Sequence, residues 1–300
     1  MWSSILINII SFCFFSGSLM SYLTGLNFSY GDIVKLEDSK YFAEVIKAED
    51  LNISAASAVV MDVQSGSFVL EKNSDEVWPI ASISKLMSVL VLLEDLQINL
   101  DDTYVVKTSD HRDGGRDNLF KGDEVTNYDL LALALIPSDN TAVIALISSA
   151  GLSEDEFVVL MNNKAQEIGL KNTVFYDATG LNPNNVSTAK EVAYLLKQAL
   201  SNKTIAELTK NYTYKITTVQ GRVKNIKSTN ELLNYFNVFE DKVEVIGGKT
   251  GFNDLAGYCL GTEFLFNGQK YISVVLNASS LSNRFNDTAK LVNRIVGISN

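Results

Sequence analysis

Of its 300 residues, the chain has one histidine, His111, two cysteines, Cys13 and Cys259, and three prolines, Pro79, Pro137 and Pro183. With so few His and Cys ligands no zinc cluster can be assembled, and two cysteines make no disulfide framework. No metal and no cofactor are expected. His111 stands in the polar, glycine-rich stretch "SDHRDGGRDN" and reads as a solvated loop residue, so any nucleophilic chemistry should proceed without histidine. Basic residues are scarce too. Lys plus Arg number 25 against 35 for Asp plus Glu, a net charge of −10, which argues against a nucleic-acid partner. Internal repeats and low-complexity linkers are absent.

Apolar residues are plentiful: 46% hydrophobic and 10% aromatic, enough for one large domain or two subdomains. No charged side chain precedes Asp32. The apolar run at residues 5–15 has the length of a signal-peptide core, and Ser16 and Ser18 are small residues near a plausible cleavage point. No Lys or Arg precedes that run, so an uncleaved anchor is the close alternative. Phe12 is too bulky for a lipoprotein site at Cys13. Residues 1–28 are therefore expected to be a signal peptide or N-terminal membrane anchor, and the chain to be exported.

Residues 28–52 suit a lead-in with a short helix. "SAVVMDVQSGSFVLEKN" alternates around Gln64-Ser65-Gly66 and reads as a β-hairpin. A helix is predicted over residues 82–99, with further helices in "NYDLLALALI", "NTAVIALISSA", "EDEFVVLMNNKAQEIGL" and "STAKEVAYLLKQAL", where Ser187 reads as a cap. After Lys210 the pattern changes to strands: "YTYKITTV" and "RVKNIKS", then "KVEVIGGKTG", then "AGYCLGTEFLF" and "KYISVVLNA" flanking Asn267-Gly268. A helix closes the chain. Strands at both ends and helices between predict an α+β fold: an antiparallel sheet flanked by helices, a mostly helical subdomain at about residues 86–210, and a site in the cleft between them.

The first turn of the helix at residues 82–99 holds Lys85 beside Ser82 and Ser84. At a helix start, residues i and i+3 share a face, so Ser82 fits Lys85 and adjacent Ser84 does not. A serine there lies near the partial positive charge of the helix N-terminus, which favours a developing alkoxide. S-x-x-K alone is weak; about one match is expected by composition, and Ser187 to Lys190 supplies a decoy. S-x-N occurs at Ser138-Asp139-Asn140 and again at Ser228-Thr229-Asn230, and K-T-G once, at Lys249-Thr250-Gly251. Order and context strengthen the set: Ser82-x-x-Lys85 opens an apolar helix, Ser138-Asp139-Asn140 breaks two buried helices, and Lys249-Thr250-Gly251 ends a β run.

That ordered set, with "WPIASISKLM", "LFKGDEVTNYDLLALALIPSDNTA", "DATGLNPNN", "VIGGKTGFNDLAGYCL" and "RFNDTAKLVNRIV", resembles the serine D-alanyl-D-alanine carboxypeptidases, the low-molecular-mass penicillin-binding proteins, over residues 56–296. The resemblance implies the β-lactamase/transpeptidase-like fold, with a D,D-peptidase domain at residues 29–300 and without the C-terminal β-rich domain that many members carry. It implies an acyl-enzyme on Ser82, Lys85 as proton acceptor with its pKa lowered by burial and by Lys249, and Ser138 as proton relay. Asn140 would bond the substrate backbone or Lys85. Lys249 and Thr250 would hold the substrate carboxylate, and Gly251 would let the substrate strand lie close. The backbone N–H groups of Ser82 and Phe252 would bind the oxyanion. Implied partners are peptidoglycan stem peptides, β-lactam antibiotics as covalent inhibitors, and the cytoplasmic membrane through an uncleaved N-terminal segment; the implied location is the periplasmic or extracellular face of the bacterial cytoplasmic membrane, or secreted. D,D-endopeptidase is the alternative. A β-lactamase would need a deacylating glutamate, for which Glu167 is the candidate, and a catalytically silent peptidoglycan-binding protein is disfavoured by the intact motifs.

Overall fold

The computed structural model describes residues 46–47, 52–115, 118–234 and 243–297. The expected leader at residues 1–28 lies outside them. So does the expected short helix between residues 28 and 52, except for Ile46–Lys47, which forms strand β1. The predicted hairpin follows as β2 (Ser57–Asp62) and β3 (Phe68–Lys72), its turn fastened by the Ser65 amide donating to Asp62 Oδ1. After β4 (Trp78–Pro79), a 3-10 turn (Ala81–Ser84) runs into helix α1 (Lys85–Leu90). A π turn, Val91–Asp95, ends it. The helix predicted to residue 99 therefore stops at Asp95, because Gln97 turns left-handed at φ 48°.

The helical block continues through β5 (Thr103–Val105), β6 (Glu124–Thr126), α2 (Asn127–Leu135), α3 (Asn140–Ser149) and α4 (Glu154–Glu167). A reciprocal Ser153–Glu156 capping box starts α4. Next come β7 (Val186–Ser187), α5 (Ala189–Ser201) and α6 (Lys203–Thr209). Ser187 is not the cap of α5. It pairs in β7 with Trp78, and Thr188 accepts the Glu191 amide instead. The sequence pattern does not single out α6, which Asn202 caps.

The remaining strands are β8 (Thr213–Thr217), β9 (Val223–Lys227), β10 (Val243–Asn253), β11 (Gly257–Phe266) and β12 (Gln269–Ala278), followed by α7 (Leu281–Val296). At the β11–β12 turn Asn267 and Gly268 both take positive φ, 49° and 80°, the pairing that matches strand twist in a two-residue hairpin. The main sheet has the order β1-β3-β2-β12-β11-β10 and is antiparallel except for the short parallel β1–β3 pair. β8 and β9 form a separate hairpin rather than joining it.

One sheet face, with Val59, Met61, Ile272 and Val274, faces the core shared with α1 and α5, and the other, with Val60, Phe264 and Val275, packs on Leu291 and Val292 of α7. Within α1 and its flanks, Ile83, Leu86, Met87, Val89, Leu90 and Leu92 are fully buried. Each such side chain contributes about 1.5–3 kcal/mol of transfer free energy as an upper estimate. That burial holds the turn at Ser82 rigid. Among the described residues no helix is long and apolar enough to cross a membrane.

Candidate active site

Three elements carry the three motifs to one cleft. Ser82 lies in the 3-10 turn and Lys85 is the first residue of α1. Ser138 occupies the α2–α3 break with φ 67°, Asp139 caps α3, and Asn140 begins it. Lys249, Thr250, Gly251 and Phe252 lie on β10, an edge strand of the main sheet. The cleft, about 280 Å³, is lined by Ser82, Ser138, Asn140, Thr250, Gly251 and Phe252 from the expected set. Positive φ at Ser138, and at Ala81 (46°) just before Ser82, places strained backbone at both serines.

Lys85 is fully buried. Its Nζ lies 2.9 Å from Ser82 Oγ, 2.6 Å from Asn140 Oδ1 and 2.6 Å from the Thr179 carbonyl. A neutral amine has two N–H bonds and one lone pair. Asn140 and Thr179 can take only N–H, so the lone pair is left for Ser82. Burial pushes the Lys85 pKa down to about 7, against the opposing pull of Asp177 and Asp139. Lys249, expected to assist, is not among these causes. Ser84 points elsewhere: its Oγ donates to the Ala81 carbonyl at 2.7 Å.

Lys249 is also buried, and its Nζ donates to Ser138 Oγ at 2.7 Å and to the Thr250 carbonyl at 3.0 Å. As an ammonium it keeps a third N–H. Burial lowers its pKa well below the usual lysine value, and the charges of Lys85 and Arg284 add to that. Asn140 Nδ2 donates to the Gly114 carbonyl at 2.7 Å, so Asn140 ties Lys85 to the loop beside the cleft. Gly251 meets the turn that carries Ser82: a Cβ there would stand 2.5 Å from the Ile80 carbonyl oxygen, so the glycine lets β10 approach Ser82. That contact is within the protein, whereas the expected role concerned substrate.

His111 is exposed in its loop. Glu167 ends α4 with an exposed side chain paired to Lys164 and does not line the cleft. Cys259 is buried, and its thiol pKa is pushed up to about 11 by burial.

Sequence reasoning missed several residues of the cleft. Thr229 Oγ1 lies 2.6 Å from Thr250 Oγ1, within the S-x-N copy that had no assigned role. Gly180 and Leu181 come from "TGLNP" and line the cleft wall. Arg284 is buried, Nη1 donates to the Gly251 carbonyl at 3.4 Å, and Nε has no partner among the described residues. Burial lowers its pKa to about 10. The signal was present: Arg284 stands on the inward stripe of α7 shared with Asp287, Thr288, Leu291 and Val292.

A histidine-free Ser/Lys pair, a Ser/Asn break and a Lys-Thr-Gly strand on an α+β scaffold define a serine hydrolase of the penicillin-binding protein fold. A DD-transpeptidase from Streptomyces superposes with a TM-score of 0.75 and 28% identity, over 82% of this chain and 98% of its own. A penicillin-binding protein from Listeria monocytogenes in the ampicillin-bound form gives 0.70 and 31%, over 81% and 98%. The D-alanyl-D-alanine endopeptidase of Escherichia coli is 30% identical over 260 residues, 83% of this chain and 79% of its own. The D-alanyl-D-alanine carboxypeptidase DacF of Bacillus subtilis is 32% identical over 253 residues, 82% of this chain and 63% of its own. Residues 44–280 match the D-alanyl-D-alanine carboxypeptidase family. The chain belongs to that family, and it is a serine-type hydrolase acting as a D-Ala-D-Ala peptidase.

Proposed function

We propose that this protein is an exported serine D,D-carboxypeptidase that removes the terminal D-alanine from peptidoglycan stem peptides and is acylated by penicillins at Ser82. The observation that carries the reading is the Lys85 environment: two acceptors at 2.6 Å claim its N–H groups and leave the lone pair to Ser82 Oγ at 2.9 Å. Ser82 gives its proton to Lys85 Nζ while Oγ bonds to the carbonyl carbon of the D-Ala-D-Ala peptide. The backbone N–H groups of Ser82 and Phe252 receive the oxyanion. The C–N bond then breaks, the leaving amine takes a proton through Ser138, and water hydrolyses the ester to free Ser82.

Lys249, Thr250 and Arg284 hold the substrate carboxylate. Arg284 joins this group because its guanidinium is buried at the cleft with Nε unpaired among the described residues. A bound carboxylate favours the charged form of Lys249, and that charge in turn favours a neutral Lys85. Residues 29–300 form the peptidase domain, with the helical subdomain at about residues 86–210, and the uncharged leader takes the chain across the cytoplasmic membrane as a signal peptide or anchor, to the periplasmic or extracellular side.

Endopeptidase action on crosslinks is the second reading, supported by the relative of that name in Escherichia coli. It uses the same steps on a larger leaving group. Digestion of a pentapeptide and a crosslinked dimer separates the two: carboxypeptidase action releases D-alanine from the first, and preferential cutting of the dimer would replace it. A fluorescent penicillin should label the wild type and leave Ser82→Ala unlabelled; equal labelling of that variant would refute the assignment.

A further inference from the structure

Ser84 takes no part in proton transfer, yet it is fully buried beside the nucleophile turn. Its hydroxyl donates to the carbonyl of Ala81, the residue held at φ 46° immediately before Ser82, and accepts Asn185 Nδ2 at 3.0 Å. Asn185, itself fully buried, accepts the Ile80 amide on its own carbonyl at 3.0 Å. The same amide side chain also donates to Asp177 Oδ1 at 3.0 Å. The Asp177 carboxylate is saturated by the loop it closes: Thr179 and Gly180 amides donate to Oδ1 at 3.0 and 2.6 Å, and the Asn182 amide to Oδ2 at 2.6 Å. That loop presents the Thr179 carbonyl to Lys85 and lays Gly180 against the turn, where a Cβ would fall 1.9 Å from the Ala81 oxygen.

We propose that Ser84, Asn185 and Asp177 form a positioning unit that clamps the nucleophile turn to the loop holding Lys85, so that Ser82 Oγ and Lys85 Nζ stay in reacting geometry. None of the three lines the cleft. They act through the Ala81 carbonyl on one side and the Thr179 carbonyl on the other, and displacement of a reacting group by about 1 Å costs on the order of 10²-fold in rate. The proposal rests on Ser82 being the nucleophile.

The charged groups around Lys85 give the unit a signature that a purely structural brace lacks. Asp177 and Asp139 both favour its protonated form; Lys249, the other titratable group facing it, has its own pKa lowered by the Lys85 charge. Removing the Asp177 charge leaves Asp139 and Lys249 in place and lets Lys85 stay neutral to lower pH.

The test measures acylation of the full chain by a fluorescent penicillin, per folded molecule, across pH, for wild type, Ser84→Ala, Asp177→Asn and Ser82→Ala. Ser84→Ala should still acylate to full stoichiometry, about tenfold more slowly, and Asp177→Asn should be slower still with the acid limb of its profile moved to lower pH. Wild-type rates in Ser84→Ala, or an unmoved limb in Asp177→Asn, would overturn the positioning unit whatever happens to melting temperature. Should Asp177→Asn fail to fold, the Ser84→Ala rate alone decides. Labelling of Ser82→Ala at the wild-type level would instead sink the nucleophile assignment; a silent Ser82→Ala beside a normal Ser84→Ala sinks only the positioning unit.

Discussion

Two lysines, Lys85 on the helical side and Lys249 on the sheet, are alike in burial and each reaches a serine hydroxyl, at 2.9 and 2.7 Å. Their surroundings differ. Lys85 has two strong acceptors that fix where its lone pair points, whereas Lys249 spends two N–H groups and keeps one for a ligand. Asp139 and Asp177 lie near the first, and Arg284 near the second. Desolvation lowers both pKa values, so burial alone assigns neither role. In the proposed reading, the direction of the bonded partners is what separates Lys85 as proton acceptor from Lys249 as anion-holding cation.

The comparison can be broken from either side. The largest effect is expected at Lys85: Lys85→Met should lower acylation by roughly 10²–10⁴-fold, the range of a lost general base, read as the penicillin acylation rate. The wild-type rate should carry the matching pH signature. Below a pKa of about 7 the amine is protonated and cannot accept the Ser82 proton. Acylation should therefore climb about tenfold per pH unit up to that point and level above it; a rate independent of pH from 5 to 8 would count against Lys85.

Lys249→Gln should cost less, about 10²-fold in kcat/KM on a D-alanine-terminated peptide, the scale of one lost charge-assisted bond. Amidating the substrate carboxylate should shrink that penalty. The smallest effect is expected for Arg284→Gln, about tenfold and mainly in KM. An equal loss on the amidated peptide would place Arg284 outside carboxylate binding.

Much of this was legible because local spacing implies geometry. Ser82 and Lys85 are one helical turn apart, so their contact follows from sequence separation alone. The hairpins at Gln64 and Asn267 follow from turn chemistry. The Thr179 carbonyl at Lys85 was not legible, since it comes from a backbone atom 94 positions away. Nor was the early end of the first long helix, because Gln97 carries no breaker signature. The cap of α5 fell one residue from its expected place, since Ser187 and Thr188 carry equivalent hydroxyls and strand pairing at Trp78 chose between them. Arg284 could have been found: a cation on the inward stripe of the closing helix needs a partner or a ligand.

The central claim, an acyl-enzyme on Ser82, is tested most directly by fragmenting the tryptic peptide of residues 73–85 from penicillin-treated protein in a mass spectrometer. That peptide holds Ser74, Ser82 and Ser84 together. The account predicts one penicilloyl adduct per chain, on Ser82; an adduct on Ser84, on another peptide, or on none would contradict it.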